Sequence, residues 1–180
     1  MRKLIPILTC LCLPLAAPVA FADNYNVEII IFEHLGADTS GGEMFNRARE
    51  LPPARLVETD PKFHGAGQLT TTAKLLESDP AYRILTHVSW VQAATPKANA
   101  KAIPLRVGDG ATEKLNGYVR FYRASFLQMD VDLVFRPDGG DRTRMNVYVI
   151  QEKHRVKPRE TVYFDHPRFG VLARIAPVGR

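Results

Sequence analysis

The chain has 180 residues, of which 46% are hydrophobic and 24% charged, and its formal net charge is +5. These values are ordinary for a folded globular domain, so the composition excludes disorder over the whole length and collagen-like or coiled-coil fibres. A chain of this length predicts one domain.

The N-terminal segment predicts a cleaved secretion signal. Arg2 and Lys3 form a basic start, an apolar stretch follows, and residues 20–22 have the small-x-small pattern that signal peptidase recognises. The apolar stretch is shorter than the about 20 residues of a membrane-spanning helix, and an uncleaved anchor is the alternative. We expect residues 1–22 to be removed, leaving a single exported domain of residues 23–180 without a membrane span.

Cleavage would also remove both cysteines. Cys10 and Cys12 lie in the predicted signal, and the loss of Arg2 and Lys3 lowers the formal charge from +5 to +3. The mature chain would then have no disulfide, no thiol nucleophile and no cysteine metal site. We expect its stability to come from a hydrophobic core.

Charge is unevenly distributed along the sequence. Residues 23–60 hold eight acidic and three basic residues, whereas residues 142–180 hold nine basic and three acidic residues. A basic C-terminal segment can be a solvated face or a docking surface for an anionic polymer or partner. Composition leaves both interpretations open.

The first half of the mature chain predicts a strand, a helix and a second strand. Residues 25–33 are nearly continuous in apolar side chains, which is typical of a strand buried on both faces in the centre of a sheet. Residues 34–67 are rich in glycine and proline and predict a long irregular segment. Residues 70–77 predict a short helix, and residues 82–92 predict the next strand.

The second half is rich in strand patterns. Residues 102–107 predict an edge strand, because Pro104 has no backbone N–H to donate to a neighbour. The predicted fold class is α+β, a largely antiparallel β-sheet with one or two helices packed across it. The other predicted strands are residues 115–122, 127–135, 145–155, 161–164 and 169–175, with a hairpin turn at residues 137–141.

Motifs for enzymes, metals and nucleic acids are missing from the sequence. It has no phosphate-binding glycine loop and no Gly-x-Ser-x-Gly elbow. Its five histidines are scattered without a His-x-x-x-His pair, so we predict no catalytic residue, no metal site and no cofactor. A basic chain can bind nucleic acid, but no recognition motif supports that function here.

Two aspartates alternate on a predicted strand. Asp130 and Asp132 share one strand face, where carboxylates could bind calcium or act as an acid/base pair. Alternating acids more often mark the solvent-exposed face of a half-exposed strand, and we prefer this interpretation.

An aromatic and basic surface is the predicted ligand-binding site. Strand alternation puts Tyr118, Arg120 and Tyr122 on one face, where sugar rings could stack on the tyrosines and the guanidinium could pair with carboxylates. Packing between neighbouring strands is the alternative for these tyrosines. Hairpin order could add the densest cationic run to the same side, and truncating exposed arginines is expected to leave stability nearly unchanged. The predicted ligand-binding residues are Tyr118, Arg120, Tyr122, Arg155, Lys157 and Arg159.

A proline-containing block near the C-terminus allows two interpretations. Asp165 and His166 could form a catalytic dyad, but neighbours on a strand point to opposite faces. We prefer a turn in which the Asp165 side chain accepts backbone N–H groups. Gly170 would then permit a close approach of another group or a positive φ.

The order of residues in this region carries a resemblance. The chain has a basic run at residues 154–157, then Glu160, Tyr163, Asp165-His166-Pro167 and Gly170-Val171. This order resembles the end of the CsiV family of periplasmic peptidoglycan-binding proteins, with two of the family's arginines replaced. At residues 43–45 (Glu-Met-Phe) the family has Glu-x-Trp, so stacking is not expected there. Earlier blocks similar to the family are Tyr25-x-Val27-Glu28-x-Ile30-x-Phe32, Tyr82-Arg83-Ile84-Leu85-x-His87-x-x-Trp90-x-Gln92, and Leu115-x-Gly117 followed by Phe126-Leu127 and Asp132-Leu133.

The resemblance implies a function that the residues alone do not define. It implies peptidoglycan binding and support of cell-wall synthesis by bifunctional penicillin-binding proteins, acting with their lipoprotein activator. It implies no enzyme and assigns no binding residues. Two other functions stay open, a wall-acting hydrolase such as a glycosidase using Asp130, Asp132 or Asp165, and a pure protein–protein adaptor that docks an acidic partner.

Overall fold

The computed structural model describes residues 23–36, 51–57, 63–64, 67–137 and 147–178. The predicted signal at residues 1–22, most of the predicted turn at residues 137–141 and part of the irregular segment lie outside these ranges. The described elements are β1 (Asn24–His34), α1 (Thr70–Ser78), β2 (Tyr82–Ala93), β3 (Ile103–Val107), β4 (Leu115–Arg123), β5 (Leu127–Phe135), β6 (Tyr148–Arg155), β7 (Thr161–His166) and β8 (Phe169–Pro177), with short 3-10 helices at Lys97–Asn99 and Gly110–Thr112.

The strands form two antiparallel sheets of four strands each. The first sheet has the order β2-β1-β8-β7, and the second has the order β3-β4-β5-β6. The predicted α+β class, with mostly antiparallel strands and a helix packed across them, is confirmed, as is the edge position of β3. The sequence pattern does not reveal that the strands divide between two sheets, because pairing joins segments distant in the chain.

One hydrophobic core lies between the two sheets. Val27, Ile29 and Ile31 of β1 share this core with Phe121 of β4 and Val131 of β5, and all five side chains are fully buried. Alternation along each strand sends these residues inward, and two sheets packed face to face bury them together.

Strand β1 is buried on both faces, which confirms its predicted central position. It pairs with β2 on one side and with β8 on the other. The face opposite the main core carries Ile30 and Phe32, which pack with Leu69 and Ala73 beneath α1. Among the described residues, no helix is long and apolar enough to cross a membrane.

A buried carboxylate fixes the start of α1. Glu28 is fully buried and accepts the backbone N–H groups of Gly67 at 2.9 Å, Gln68 at 2.5 Å and Leu69 at 3.1 Å. Its Oε1 also lies 2.8 Å from His87 Nε2. Burial alone raises the pKa of Glu28, but the hydrogen bonds from His87 and the three amides outweigh it and lower the pKa overall. Glu28 therefore satisfies amides that a helix start leaves unpaired.

The turn between β7 and β8 is tied to the end of β1. The His34 backbone N–H donates to the Arg168 carbonyl at 2.9 Å, and His34 Nδ1 lies 3.0 Å from the Pro167 carbonyl oxygen. Within the turn, His166 Nδ1 accepts the Arg168 N–H at 3.1 Å, whereas Asp165 accepts the hydroxyl of Tyr163 at 2.7 Å. The expectation that Asp165 holds the turn is wrong, because among the described groups His166 supplies the acceptor.

Gly170 permits the close approach that the sequence predicts. A Cβ atom at this position would lie 2.6 Å from Cε2 of Tyr163 and 2.9 Å from Cζ of Phe32. The Phe32 and Tyr163 rings are stacked, with centroids 6.2 Å apart. The aromatic pair therefore lies directly over the glycine, and the Asp-His-Pro block is part of the packing of the first sheet.

Candidate functional site

A row of polar side chains crosses the outer face of the second sheet. Register pairs Tyr118 with Asp132 and Arg120 with Asp130 between β4 and β5. Residues paired across neighbouring strands share a face, so these four side chains lie opposite the core. On β6 the row continues with Gln151, the partner of Asp132, and Lys153, the partner of Asp130.

A glycine allows β4 and β5 to approach closely beside this row. Gly117 has a φ of 150°, and a Cβ there would lie 2.1 Å from the backbone oxygen of Asp132. An L side chain could not fit between the two strands at this point. The Leu115-x-Gly117 block thus has a structural role next to Asp132.

An open cleft of about 310 Å³ lies over the polar row. Pro52 forms one wall, beside Leu51, which packs against Val134 and Val149 of the sheet. The hydroxyl of Tyr118 donates a hydrogen bond to the Pro52 carbonyl and ties this wall to the row. The cleft is lined by Pro52, Arg120, Asp130, Asp132, Gln151, Glu152 and Lys153.

The charge of Asp130 is compensated within the protein. Asp130 is only 6% exposed. Its Oδ2 accepts Nη2 of Arg120 at 2.6 Å and Nε at 3.2 Å, and its Oδ1 accepts the hydroxyl of Tyr122 at 2.9 Å. Nζ of Lys97 lies 3.7 Å from Oδ2. Such charge-assisted contacts make the burial of this carboxylate tolerable.

Asp132 is the other buried carboxylate of the cleft, and it has no comparable ion pair. It is 8% exposed, and no cationic side chain of the described ranges lies within ion-pair distance of it. Burial, followed by the charge of Asp130, raises the pKa of Asp132. The hydroxyl of Tyr118, its neighbour in register, and the charges of Arg120 and Lys97 act in the opposite direction but do not outweigh burial and Asp130. Asp132 is therefore a buried acid whose charge is balanced only at a distance, without an ion pair in the described ranges.

The burial of both aspartates contradicts the preferred interpretation of the sequence. The acids do share one strand face, as the alternation predicts, but both side chains are buried within it. The segment beside them, at Leu51 and Pro52, comes from a distant part of the sequence. Its proximity to β5 has no local sequence signal.

The predicted tyrosines share the expected face with Arg120, but their rings are not exposed for stacking. Tyr122 is 0% exposed and Tyr118 is 6% exposed. Burial, and the neighbouring aspartates, raise the pKa of each hydroxyl to about 12. Nζ of Lys97 lies 5.2 Å from the centroid of the Tyr122 ring, and the Arg120 guanidinium lies 5.8 Å from it. The prediction that sugar rings stack on these two tyrosines is therefore wrong, and any other role of the tyrosines in binding stays a prediction.

The predicted cationic run divides between two places. Arg155 pairs in register with Gln128, so it lies on the same outer face as Arg120. Lys157 and Arg159 lie beyond the end of β6, where Lys157 contacts Glu160 at 3.3 Å. Arg159 has a φ of 65° and donates its backbone N–H to the Ile175 carbonyl. Neither residue lines the cleft.

Phe126 supplies the exposed aromatic ring of this surface. It lies in the turn between β4 and β5 and is 49% exposed. The guanidinium carbon of Arg155 lies 3.5 Å from the centroid of its ring. Sequence reasoning missed Phe126 because the alternation of β4 and β5 does not extend into the turn. Lys97 was missed as well, because it lies on a short 3-10 helix whose position over Tyr122 has no sequence signal.

The arrangement can bind charged groups of both signs. Arg120 and Lys153 offer donors to anions, and Asp132 offers a buried acceptor to cations. Among the described residues, no group of three or more His, Cys, Asp or Glu side chains could hold a metal ion.

Comparison with known proteins gives one finding. A family model described as "Peptidoglycan-binding protein, CsiV" matches residues 48–178. No curated protein and no solved structure matches the chain. The matched range contains every residue that lines the cleft, whereas β1 precedes it.

Proposed function

Because the chain belongs to the CsiV family of peptidoglycan-binding proteins, we propose that it is a non-enzymatic wall-binding protein of the periplasm. We propose further that it supports cell-wall synthesis by bifunctional penicillin-binding proteins, together with their lipoprotein activator. The observation that carries the proposal is the family match over residues 48–178. The predicted secretion signal and the resemblance of the Asp-His-Pro block support the periplasmic location and the synthetic role.

The cleft on the second sheet is the proposed binding site. Peptidoglycan carries carboxylates, amines and sugar rings, and the outer face offers a partner for each. Arg120 and Lys153 can pair with carboxylates, and Asp132 can accept from amines. Phe126 and Arg155, at the end of the same sheet, present a flat apolar ring beside a charged group to a sugar. Lys157 and Arg159 would then act only by long-range attraction.

The proposed functional unit is residues 23–180, released from residues 1–22. The family match begins at residue 48, but β1 lies between β2 and β8 in the first sheet. The domain therefore needs residues that precede the match. N-terminal sequencing of protein recovered from the periplasm should give Asp23 as the first residue, and a start at Met1 would contradict the cleavage.

Pelleting with protein-free sacculi tests the proposed function. Purified protein should sediment with sacculi at physiological salt and should be released in part by added salt, since exposed charges are screened. Protein that stays in the supernatant would contradict wall binding and favour the adaptor, which needs a protein partner. For the synthetic role, the protein should raise glycan polymerisation by a bifunctional penicillin-binding protein when the lipoprotein activator is present. No change in rate would contradict that role.

A wall hydrolase is the second candidate, because the cleft holds two buried carboxylates on one strand face. The raised pKa of Asp132 is the property that a general acid needs. Asp130, however, is held by Arg120 and Tyr122 and is not free to attack a substrate. Release of muropeptides from sacculi, abolished in Asp132→Asn, would favour this candidate over the non-enzymatic one.

A further inference from the structure

The two buried carboxylates of the cleft differ in their partners. Asp130 accepts hydrogen bonds from Arg120 and Tyr122 and lies near Lys97. Asp132 lies one step along the same strand face, equally buried, and has no cation within ion-pair distance among the described residues. A buried carboxylate without a cation in direct contact is costly, and such groups in clefts cluster at functional sites.

A cation that reaches Asp132 must enter through the cleft. Asp132 is part of the cleft lining, and about 310 Å³ is enough room for one small polar group with its first neighbours. An ammonium group would donate its N–H groups to the carboxylate and form a charge-assisted contact in a place where water competes poorly. A neutral amide or hydroxyl would leave the carboxylate of Asp132 without a cation in direct contact.

The rim of the cleft adds a second requirement. Lys153 is exposed and lines the cleft. On β6 it is the register partner of Asp130 and lies two residues beyond Gln151, the register partner of Asp132. A ligand with an ammonium group at Asp132 and a carboxylate nearby would pair with both side chains. An amino acid that carries both groups on one carbon fits this arrangement.

Peptidoglycan offers such a group in its peptide stem. The stem contains a diamino acid, and in diaminopimelate the second amino group shares its carbon with a carboxylate. That amino group is free until a cross-link forms on it. We propose, on the basis of the proposed function, that Asp132 binds the free ammonium group of the diamino acid in an uncross-linked stem, and that Lys153 pairs with the adjacent carboxylate.

Titration calorimetry with soluble muropeptide monomers tests this inference. The probes are a monomer with a free diaminopimelate amine, the same monomer acetylated at that amine, and a third amidated at the adjacent carboxylate. The wild-type protein should bind the free form at least about tenfold more tightly than the acetylated form. Asp132→Asn should bind the free and the acetylated monomers equally. Wild type should also bind the monomer with the free carboxylate more tightly than the amidated monomer, and Lys153→Gln should lose only this second preference. Glu77→Gln, which removes one exposed acid from α1 on the other sheet, should behave as wild type.

Equal binding of the free and acetylated monomers by wild type would overturn the inference, as would a preference that survives in Asp132→Asn. Should Asp132→Asn show no cooperative thermal transition, wild-type binding of the free and acetylated monomers and the result for Lys153→Gln still test the inference. Pelleting with native and with fully N-acetylated sacculi distinguishes an error in this inference from an error in the proposed wall binding. Wild type that pellets equally with native and fully N-acetylated sacculi binds the wall by another group, and wild type that pellets with neither does not bind it.

Discussion

At the scale of single residues, the molecule buries several acids and satisfies them in different ways. Glu28 accepts three backbone amides, and Asp130 pairs with Arg120. Glu33 is also buried, in contact with Arg83 and 3.8 Å from Arg168. Asp132 differs from the other three acids because no cationic side chain of the described ranges lies within ion-pair distance of it. Because folding stability includes the desolvation of each charge, the four acids should respond differently to neutralisation.

Neutralising Asp132 should not weaken the fold. We expect Asp132→Asn to be as stable as wild type or more stable by roughly 1 kcal/mol at pH 7, since burial and Asp130 disfavour the charge of Asp132 more than its neighbours favour it. The folded-state pKa lies above its usual value of 3.8, so the proton stabilises the folded state below that value, and this contribution is lost as the pH rises through the folded-state pKa. The advantage of the variant should therefore shrink as the pH falls from 7 to 4.

Urea unfolding at several pH values measures this difference, with Glu77→Gln as the exposed-acid control. A variant that is less stable than wild type at pH 7 would mean that the protein itself compensates Asp132.

Truncating Arg120 should lower stability more than truncating Arg155. Arg120→Ala leaves Asp130 buried with fewer donors and should cost about 3 kcal/mol. Arg155→Ala removes an exposed contact with Phe126 and should cost no more than about 1 kcal/mol. The expectation that both truncations leave stability unchanged assumed exposed arginines, whereas the Arg120 side chain is 21% exposed and pairs with Asp130. Equal midpoints for the two variants in urea would contradict this distinction.

At the scale of elements, local patterns predict the strands well and their neighbours poorly. The alternation in β4 and β5 and the continuous apolar run of β1 each follow from one segment of sequence. The position of Leu51 and Pro52 beside the polar row requires contacts across long sequence separations, so neither composition nor alternation indicates it. The same limit explains why Asp130 and Tyr122 are buried on a face that resembles a solvated one.

The hairpin of β7 and β8 should depend on the absence of a side chain at Gly170. Gly170→Ala should cost roughly 1–3 kcal/mol, because the new methyl group would overlap the Tyr163 and Phe32 rings. In a Tyr163→Ala background the same substitution should cost less, since the nearest overlapping ring is gone. A double-mutant cycle from thermal or urea unfolding gives the coupling. Additive effects would show that Tyr163 does not restrict this position.

At the scale of the whole molecule, some of the unevenly distributed charged residues pair with one another inside the fold. The acidic N-terminal region supplies Glu33 on β1, and the basic C-terminal region supplies Arg168, 3.8 Å away. Since β1 and β8 are neighbours, acids from one end of the chain meet bases from the other. Part of the basic surplus is therefore internal, and only the rest is available for docking.

The residues of the family match should not fold alone. Deleting the chain before residue 48 removes β1, whose Val27, Ile29, Ile30 and Ile31 are fully buried. The loss of several buried aliphatic side chains exceeds the 5–15 kcal/mol that stabilises typical domains. We expect residues 48–178 to lack a cooperative thermal transition, and residues 23–178 to show one. Cooperative unfolding of the shorter chain would mean that β1 is dispensable.

The position of β1 between β2 and β8 also sets a time order for folding. The strand made first must pair with the strand made last, so the first sheet stays incomplete until nearly the whole chain is available. Pairing across such a long sequence separation slows folding and prolongs the exposure of the apolar run around Ile29–Ile31. During that interval the nascent chain is exposed to chaperones and proteases, and a chain that ends before β8 could not complete the first sheet.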